Sequence, residues 1–200
     1  MRDDGTALTH AHHACELAER AGGVYGQVWA RACLGVVLTL RGEWAPAIDA
    51  LERAITLARG RRSSLDTEAW HLARLAAARL GAGVHDGARQ AAFEALEIAS
   101  VRHARFHEIQ ARIELARVIA ATEGRRGRAE GSRHLDRAVA LMDEVGAIAY
   151  APQIHRARAE CASAAGDQAA AATERSAADR VLAQMSAGDY GASRTRSALS

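Results

Sequence analysis

Histidine, glutamate and arginine are the residues of this chain whose spacing could do chemistry. His10, His12 and His13 cluster near the start. A metal site needs several such ligands converging on one point. On a helix His10 and His13 share a face while His12 points away, so the trio reads as a solvated surface. His103 and His107 stand four apart, a spacing at which two imidazoles could share a metal, but no glutamate completes an H-E-x-x-H between them. Glu68 and His71 make one E-x-x-H, whereas a di-iron bundle takes two of these and two further glutamates. The segment Gly81 to Gly87 nearly spells a dinucleotide loop. It is one residue too long and follows a helical pattern rather than a strand, so it reads as a turn.

Arg125, Arg126 and Arg128 lie among Gly124, Gly127 and Gly131 just before a helix start. Backbone N–H groups, the helix dipole and guanidinium forks could together hold a phosphate or an acidic side chain there. A solvated turn is the competing reading. Other chemistry is excluded by composition. The chain has no lysine and no asparagine. A P-loop ends in Gly-Lys-Ser/Thr, and a Schiff base needs a lysine, so neither is available. No G-x-S-x-G elbow occurs either. The expectation is a protein without catalysis and without a cofactor.

The elements that must position these residues are helices. Apolar residues make up 49% of the chain and aromatics only 4%, so the core is built from Ala, Leu, Val and Ile. That favours close helix contact over a deep aromatic pocket. Basic and acidic residues nearly balance at 26 and 24, unlike the one-signed surface of a nucleic-acid binder. The start, MRDDGTALTH, has no apolar core of a secretory signal. No apolar run approaches the ~20 residues that span a bilayer. Cys15, Cys33 and Cys161 are far apart and read as small hydrophobes in a reducing cytoplasm.

Trp29 to Arg61 reads as two amphipathic helices around a turn at Arg41-Gly42-Glu43. Gly35, Ala47 and Ala54 would let the helices approach closely. Leu34, Leu38, Trp44 and Leu51 would fill the groove between them. The pair recurs: Gly42, Gly83, Gly124 and Gly166 mark turns at a period of about 41 residues, within the range of helical solenoids.

Leu34-Gly35, Leu38, Gly42, Trp44, Ala47, Leu51 and Ala54 resemble the tetratricopeptide (TPR) repeat in order and spacing. Arg59 stands where that motif often ends in proline. The period also fits HEAT or armadillo repeats; the match from Leu34 to Ala54 favours the tetratricopeptide reading. The spacers are long, as in divergent arrays of large bacterial signalling ATPases, both LuxR-like regulators and proteins with a nucleotide-cyclase domain. The resemblance implies an all-α right-handed α-solenoid of about four helix pairs with an additional N-terminal helix. The lysine and asparagine of the family's clamp for a terminal carboxylate are absent, so that specificity is not implied.

In chain order, residues 1–5 are expected to fray and 6–185 to form the repeat domain. A helix over Thr6 to Ala21 carries a Glu16–Arg20 pair. The full pairs follow as Val24–Leu40 with Trp44–Ala58, Leu65–Leu80 with His85–Val101, Ala104–Ala121 with Ser132–Val145, and Tyr150–Ala165 with Gln168–Met185. Ser63 and Asp66 read as a capping signal. Thr122 to Glu130 reads as a longer turn, and 186–200 as a disordered tail. The array opens on a half-repeat, and such an edge normally needs a cap. The chain is therefore expected to be part of a longer architecture, or to meet a partner or a second copy through its first helix.

In stacked helix pairs the first helices line the concave side, where peptides bind. The resemblance places Trp29, Ala32 and Val36 there, then Trp70, Ala73 and Ala77, then Gln110, Ile113 and Arg117, then Gln153, Arg156 and Glu160. Trp29 and Trp70 either anchor a ligand or fill the seam between repeats. The expected function is protein or peptide recognition within a larger bacterial signalling regulator, with no membrane and no nucleic acid bound by this chain alone. The alternative is the effector-sensing part of a LuxR-like transcription regulator.

Overall fold

The computed structural model describes residues 4–187. The expectations for residues 1–3 and 188–200, including most of both ends read as disordered, lie outside the described residues. Among the described residues the chain forms α1 (Asp4–Ala21), α2 (Val24–Leu40), α3 (Trp44–Arg61), α4 (Glu68–Gly81), α5 (His85–Val101), α6 (Arg105–Glu123), α7 (Arg128–Val145), α8 (Ala151–Ala164) and α9 (Gln168–Ser186). Short 3-10 turns at Leu65–Thr67 and Ile148–Tyr150 precede α4 and α8. The fold is an all-α, right-handed solenoid of four TPR-like helix pairs behind one leading helix.

The four periodic glycines end the first helix of each pair. Gly42, Gly83, Gly124 and Gly166 have φ of 75°, 75°, 55° and 83°. Glycine enters this left-handed region without the Cβ clash that other residues meet. Close approach within a pair rests on Gly35. A Cβ there would lie 2.5 Å from Leu51 Cγ and 3.2 Å from the Ala47 carbonyl oxygen. Pro46 and Pro152 fall in the first turns of α3 and α8, where the missing N–H is harmless.

Each first helix touches the next, α2 on α4, α4 on α6 and α6 on α8. Each second helix joins its own pair to the following one, α3 to α4, α5 to α6 and α7 to α8. First helices drawn together with second helices held apart curve the array, and α2, α4, α6 and α8 line its inner side. The core is continuous through α6. One apolar cluster runs from Val28 to Ile119 around Leu51, Leu72 and Leu115. A second gathers Ile109, Ile113, Leu135, Leu141 and Ile154. Because α6 serves both, its buried residues fall on nearly every side. Its buried Glu108 and Glu114 are each held by arginine, Glu108 by Arg112 at 2.8 Å and Glu114 by Arg117 at 2.9 Å.

Several local expectations are corrected. Residues 4 and 5 are already helical. Thr122 to Glu130 is not a long turn: α6 runs to Glu123 and α7 begins at Arg128, which leaves a four-residue turn, 124–127, in which Gly124 takes a positive φ. Ser63 and Asp66 do not cap α4; the Thr67 hydroxyl instead donates to the Ser64 carbonyl, closing the 3-10 turn. Among the described residues Glu16 and Arg20 make no ion pair; Glu19 instead reaches Arg31 of α2 at 2.8 Å. Cys161 is buried, but Cys33 is exposed and Cys15 half-buried. No helix of the described residues is long and apolar enough to cross a membrane.

Candidate functional site

The inner side holds an open groove of about 1020 Å³ lined by α2, α4, α6 and α8, the first residues of α3 and α5, and Arg175 of α9. Seven of the twelve residues expected on the concave face line it: Val36, Ala77, Ile113, Arg117, Gln153, Arg156 and Glu160. The other five do not. Ala32, Ala73 and Gln110 are wholly buried and offer a ligand no surface. Their places on α2, α4 and α6 are where neighbouring first helices press together.

Trp29 and Trp70 fill that seam. Their ring centroids are 5.3 Å apart and tilted by 38°. His71 meets Trp29 edge-on at 5.6 Å and Trp70 at 5.4 Å. Trp29 Nε1 and both His71 ring nitrogens are buried without a partner. Burial, with His107 nearby, pulls the His71 pKa down to about 4, so the ring is neutral near pH 7. Of the two readings of the tryptophans, the geometry has them joining repeats. On α2 and α4 the groove lies further along the helix, toward the C-terminal end.

That shift brings in residues not expected on the concave face, including Leu40, Trp44, Arg74 and Leu80. Leu40 ends α2 and Leu80 is the last residue but one of α4, so the repeat period could have found them. Trp44 is fixed by Gly81: a Cβ there would lie 2.4 Å from the ring. Arg74 stands one turn beyond Trp70, and its guanidinium lies over that ring with Cζ 5.3 Å from the centroid. A W-x-x-x-R spacing on a helix is the signal that could have pointed to it.

Charge is unevenly matched along the groove. Arg117 takes both of its carboxylates, Glu114 at 2.9 Å and Glu160 at 2.7 Å. Burial opposes the Arg117 charge, yet the two glutamates raise its pKa above the usual arginine value. Glu114 also accepts from the Gln110 amide at 2.8 Å. Arg74, Arg156 and Arg175 face the same space with no hydrogen bond or ion pair among the described residues. Burial lowers the Arg74 pKa, and Arg117 adds to the effect while Glu114 opposes it.

A smaller cleft of about 300 Å³ lies between α3, α4 and α5. Its arginines are neutralised, Arg59 by Glu68 at 2.7 Å and Glu94 at 2.5 Å, and Arg79 by Glu52 at 2.8 Å. The candidate anion site is dispersed. Arg125 and Arg126 are exposed in the turn, and Arg128 leans toward Asp167 at 3.4 Å. His10, His12 and His13 are exposed along α1.

No protein-family model matches the chain, and no curated protein matches its sequence. Solved structures do share its fold. The apo form of RapI superposes with a TM-score of 0.75 at 11% identity, covering 92% of this chain and 64% of that one. BtubC (BKLC) from P. vanneervenii gives a TM-score of 0.60 at 15% identity, covering 93% of each chain. A single-residue variant of a putative kinesin light chain from Podosopora anserina, with nearly identical TPR-like repeats, gives 0.59 at 17% identity, covering 96% of this chain and 89% of that one. This chain thus spans 64% of the length of RapI. At these identities the likeness is one of fold, and that fold is the TPR-like helical repeat.

Proposed function

We propose that this chain is a non-catalytic interaction module that holds a segment of a protein or peptide partner along its inner groove. The observation that carries the reading is the groove itself. At about 1020 Å³ it exceeds most small-molecule pockets, which hold roughly 300–1,000 Å³, and it lies open along the first helices of four successive pairs. Its wall mixes apolar side chains with unpaired cations, which suits a segment carrying both kinds of group. Its two glutamates are occupied by Arg117, which leaves no free carboxylate there to act as a general base. The wider setting we propose, a larger bacterial signalling regulator, rests on the resemblance of Leu34 to Ala54 to repeats in such proteins.

The test is a selection of displayed random peptides on the purified 200-residue chain. The expected result is a set of binders lost when the groove floor is filled by Ala77→Trp. Binders that hold Ala77→Trp as tightly as wild type would place recognition elsewhere and sink the reading.

A further inference from the structure

Arginine is the only strong cation this chain uses, and nearly every arginine that leaves water is paired. Arg31, Arg79, Arg89, Arg105, Arg112, Arg117 and Arg158 are half-buried, and each has a carboxylate within ion-pair distance. Arg74 is half-buried too and has none. Its Nε is buried without any partner. Glu114, the carboxylate that acts on the Arg74 charge, has already given one oxygen to Gln110 and the other to Arg117. Arginine does not lose its proton under ordinary conditions, so a partly dehydrated charge stands in the groove wall. The Trp70 ring lies beneath the guanidinium and helps to hold it in place.

Removing a charge from water without a partner is costly, and folded proteins avoid it unless something meets the charge. Here part of the dehydration is done before any ligand arrives, so an incoming anion gains a charge-assisted, two-pronged contact at reduced cost. Arg156 and Arg175 extend the positive character along the same groove. The apolar side of the groove is equally unsatisfied: Leu40 is 82% exposed at its edge.

We propose that the groove recognises an acidic amphipathic segment of a partner protein. One carboxylate of that segment seats on Arg74, further acidic groups face Arg156 and Arg175, and apolar side chains lie against Leu40 and Leu80. The inference rests on the groove reading above and adds the chemistry of the ligand. A carboxylate on an amphipathic segment fits better than a polyanionic strand, because a run of phosphates would leave the apolar lining at Val36, Leu40, Leu80 and Ile113 uncovered.

The experiment sequences the peptides selected by the wild-type chain and measures each binder beside its Glu/Asp→Gln/Asn counterpart. Selected peptides should carry an acidic residue near leucine or phenylalanine, and amidation should weaken binding by about tenfold or more. With Arg74→Gln the acidic and amide forms should bind alike, and Arg74→Lys should recover part of the preference. Arg74→Gln should also raise the urea midpoint of the free chain, since it removes an unpaired charge; a lowered midpoint would show that Arg74 is structurally paired and overturn the proposal. Binders that vanish with Ala77→Trp yet ignore amidation, or keep the acidic preference in Arg74→Gln, would overturn it while leaving the groove reading intact. Phosphoserine peptides or single-stranded DNA binding more tightly than the carboxylate forms, in an Arg74-dependent way, would replace the ligand class. An absence of groove-dependent binders would remove both readings.

Discussion

The guanidinium of Arg74 lies over the indole of Trp70, 5.3 Å from Cζ to ring centroid, and the other side of the seam is filled by Trp29 at 5.3 Å. One ring therefore serves two tasks, joining α2 to α4 and holding a cation in the groove wall. Trp70→Ala should cost about 2–3 kcal/mol, below the full cost of emptying a core site because the ring is half-buried. Urea unfolding followed by circular dichroism measures it. A change under about 0.5 kcal/mol would mean the ring is surface decoration rather than a joint between repeats.

Two glycines in one helix pair should answer the same substitution with opposite signs. Gly35→Ala drives a Cβ to 2.5 Å from Leu51 Cγ, and the Ala47 carbonyl behind it cannot retreat without moving α3. Overfilling of this kind costs about 1–3 kcal/mol. Gly60 lies near the end of α3 with nothing within 4 Å of an added Cβ. Gly60→Ala should stabilise by about 0.5–1 kcal/mol through helix propensity. Thermal midpoints of the two variants should fall on either side of wild type. Destabilisation by Gly60→Ala would show that α3 does not reach that residue in solution.

The periodic features of this fold are legible because small residues repeat at fixed places. Gly42, Gly83, Gly124 and Gly166 each take the positive φ that a turn requires, and Gly35 makes the close approach its position suggests. The groove is less legible. Its outline depends on where along each helix neighbours part, and periodicity alone sets the face but not the height. Hence Val36 and Ala77 fall in the groove, while Ala32 and Ala73 one turn earlier are sealed between helices. The W-x-x-x-R spacing can point to Arg74, but its unpaired state is hidden from the sequence for a different reason. Its significance is the carboxylate it lacks, and only the pairing of all the other half-buried arginines reveals that.

Glu68 ties three helices at one point. It sits at the start of α4 with its side chain 8% exposed and accepts from Arg59 of α3 at 2.7 Å. Arg102, following α5, reaches it at 3.2 Å and also donates to the Leu65 carbonyl. Both arginines are themselves well exposed, at 44% and 40%, so they can return to water when the carboxylate is lost. Glu68→Gln should therefore cost about 1–2 kcal/mol, less than the roughly 3–5 expected when a fully buried pair is broken. Denaturant midpoints of Glu68→Gln, Arg102→Gln and the double variant give the coupling directly. Strict additivity would show that the pair contributes nothing.

His71 should make the fold sensitive to mild acid. The ring is fully buried, edge-on to Trp29 and Trp70, with both nitrogens unpartnered. Burial, then the nearby His107, lower its pKa from 6.5 to about 4, against the smaller opposing pull of Asp66 and Glu68. Between those values the unfolded chain binds a proton that the folded chain refuses. The stabilisation is thus complete above about pH 6.5 and declines as pH falls, by up to about 1.4 kcal/mol per unit. Near pH 4 the loss from this one residue reaches about 3 kcal/mol. His107 and His134 are also lowered by burial, so they act in the same direction. His71→Phe keeps an aromatic edge in the seam and removes the proton site. Urea midpoints compared at about pH 7.5 and about pH 4.5 should separate widely in wild type and much less in the variant. Equal losses in both would mean that His71 is protonated without cost and that water reaches the seam between α2 and α4.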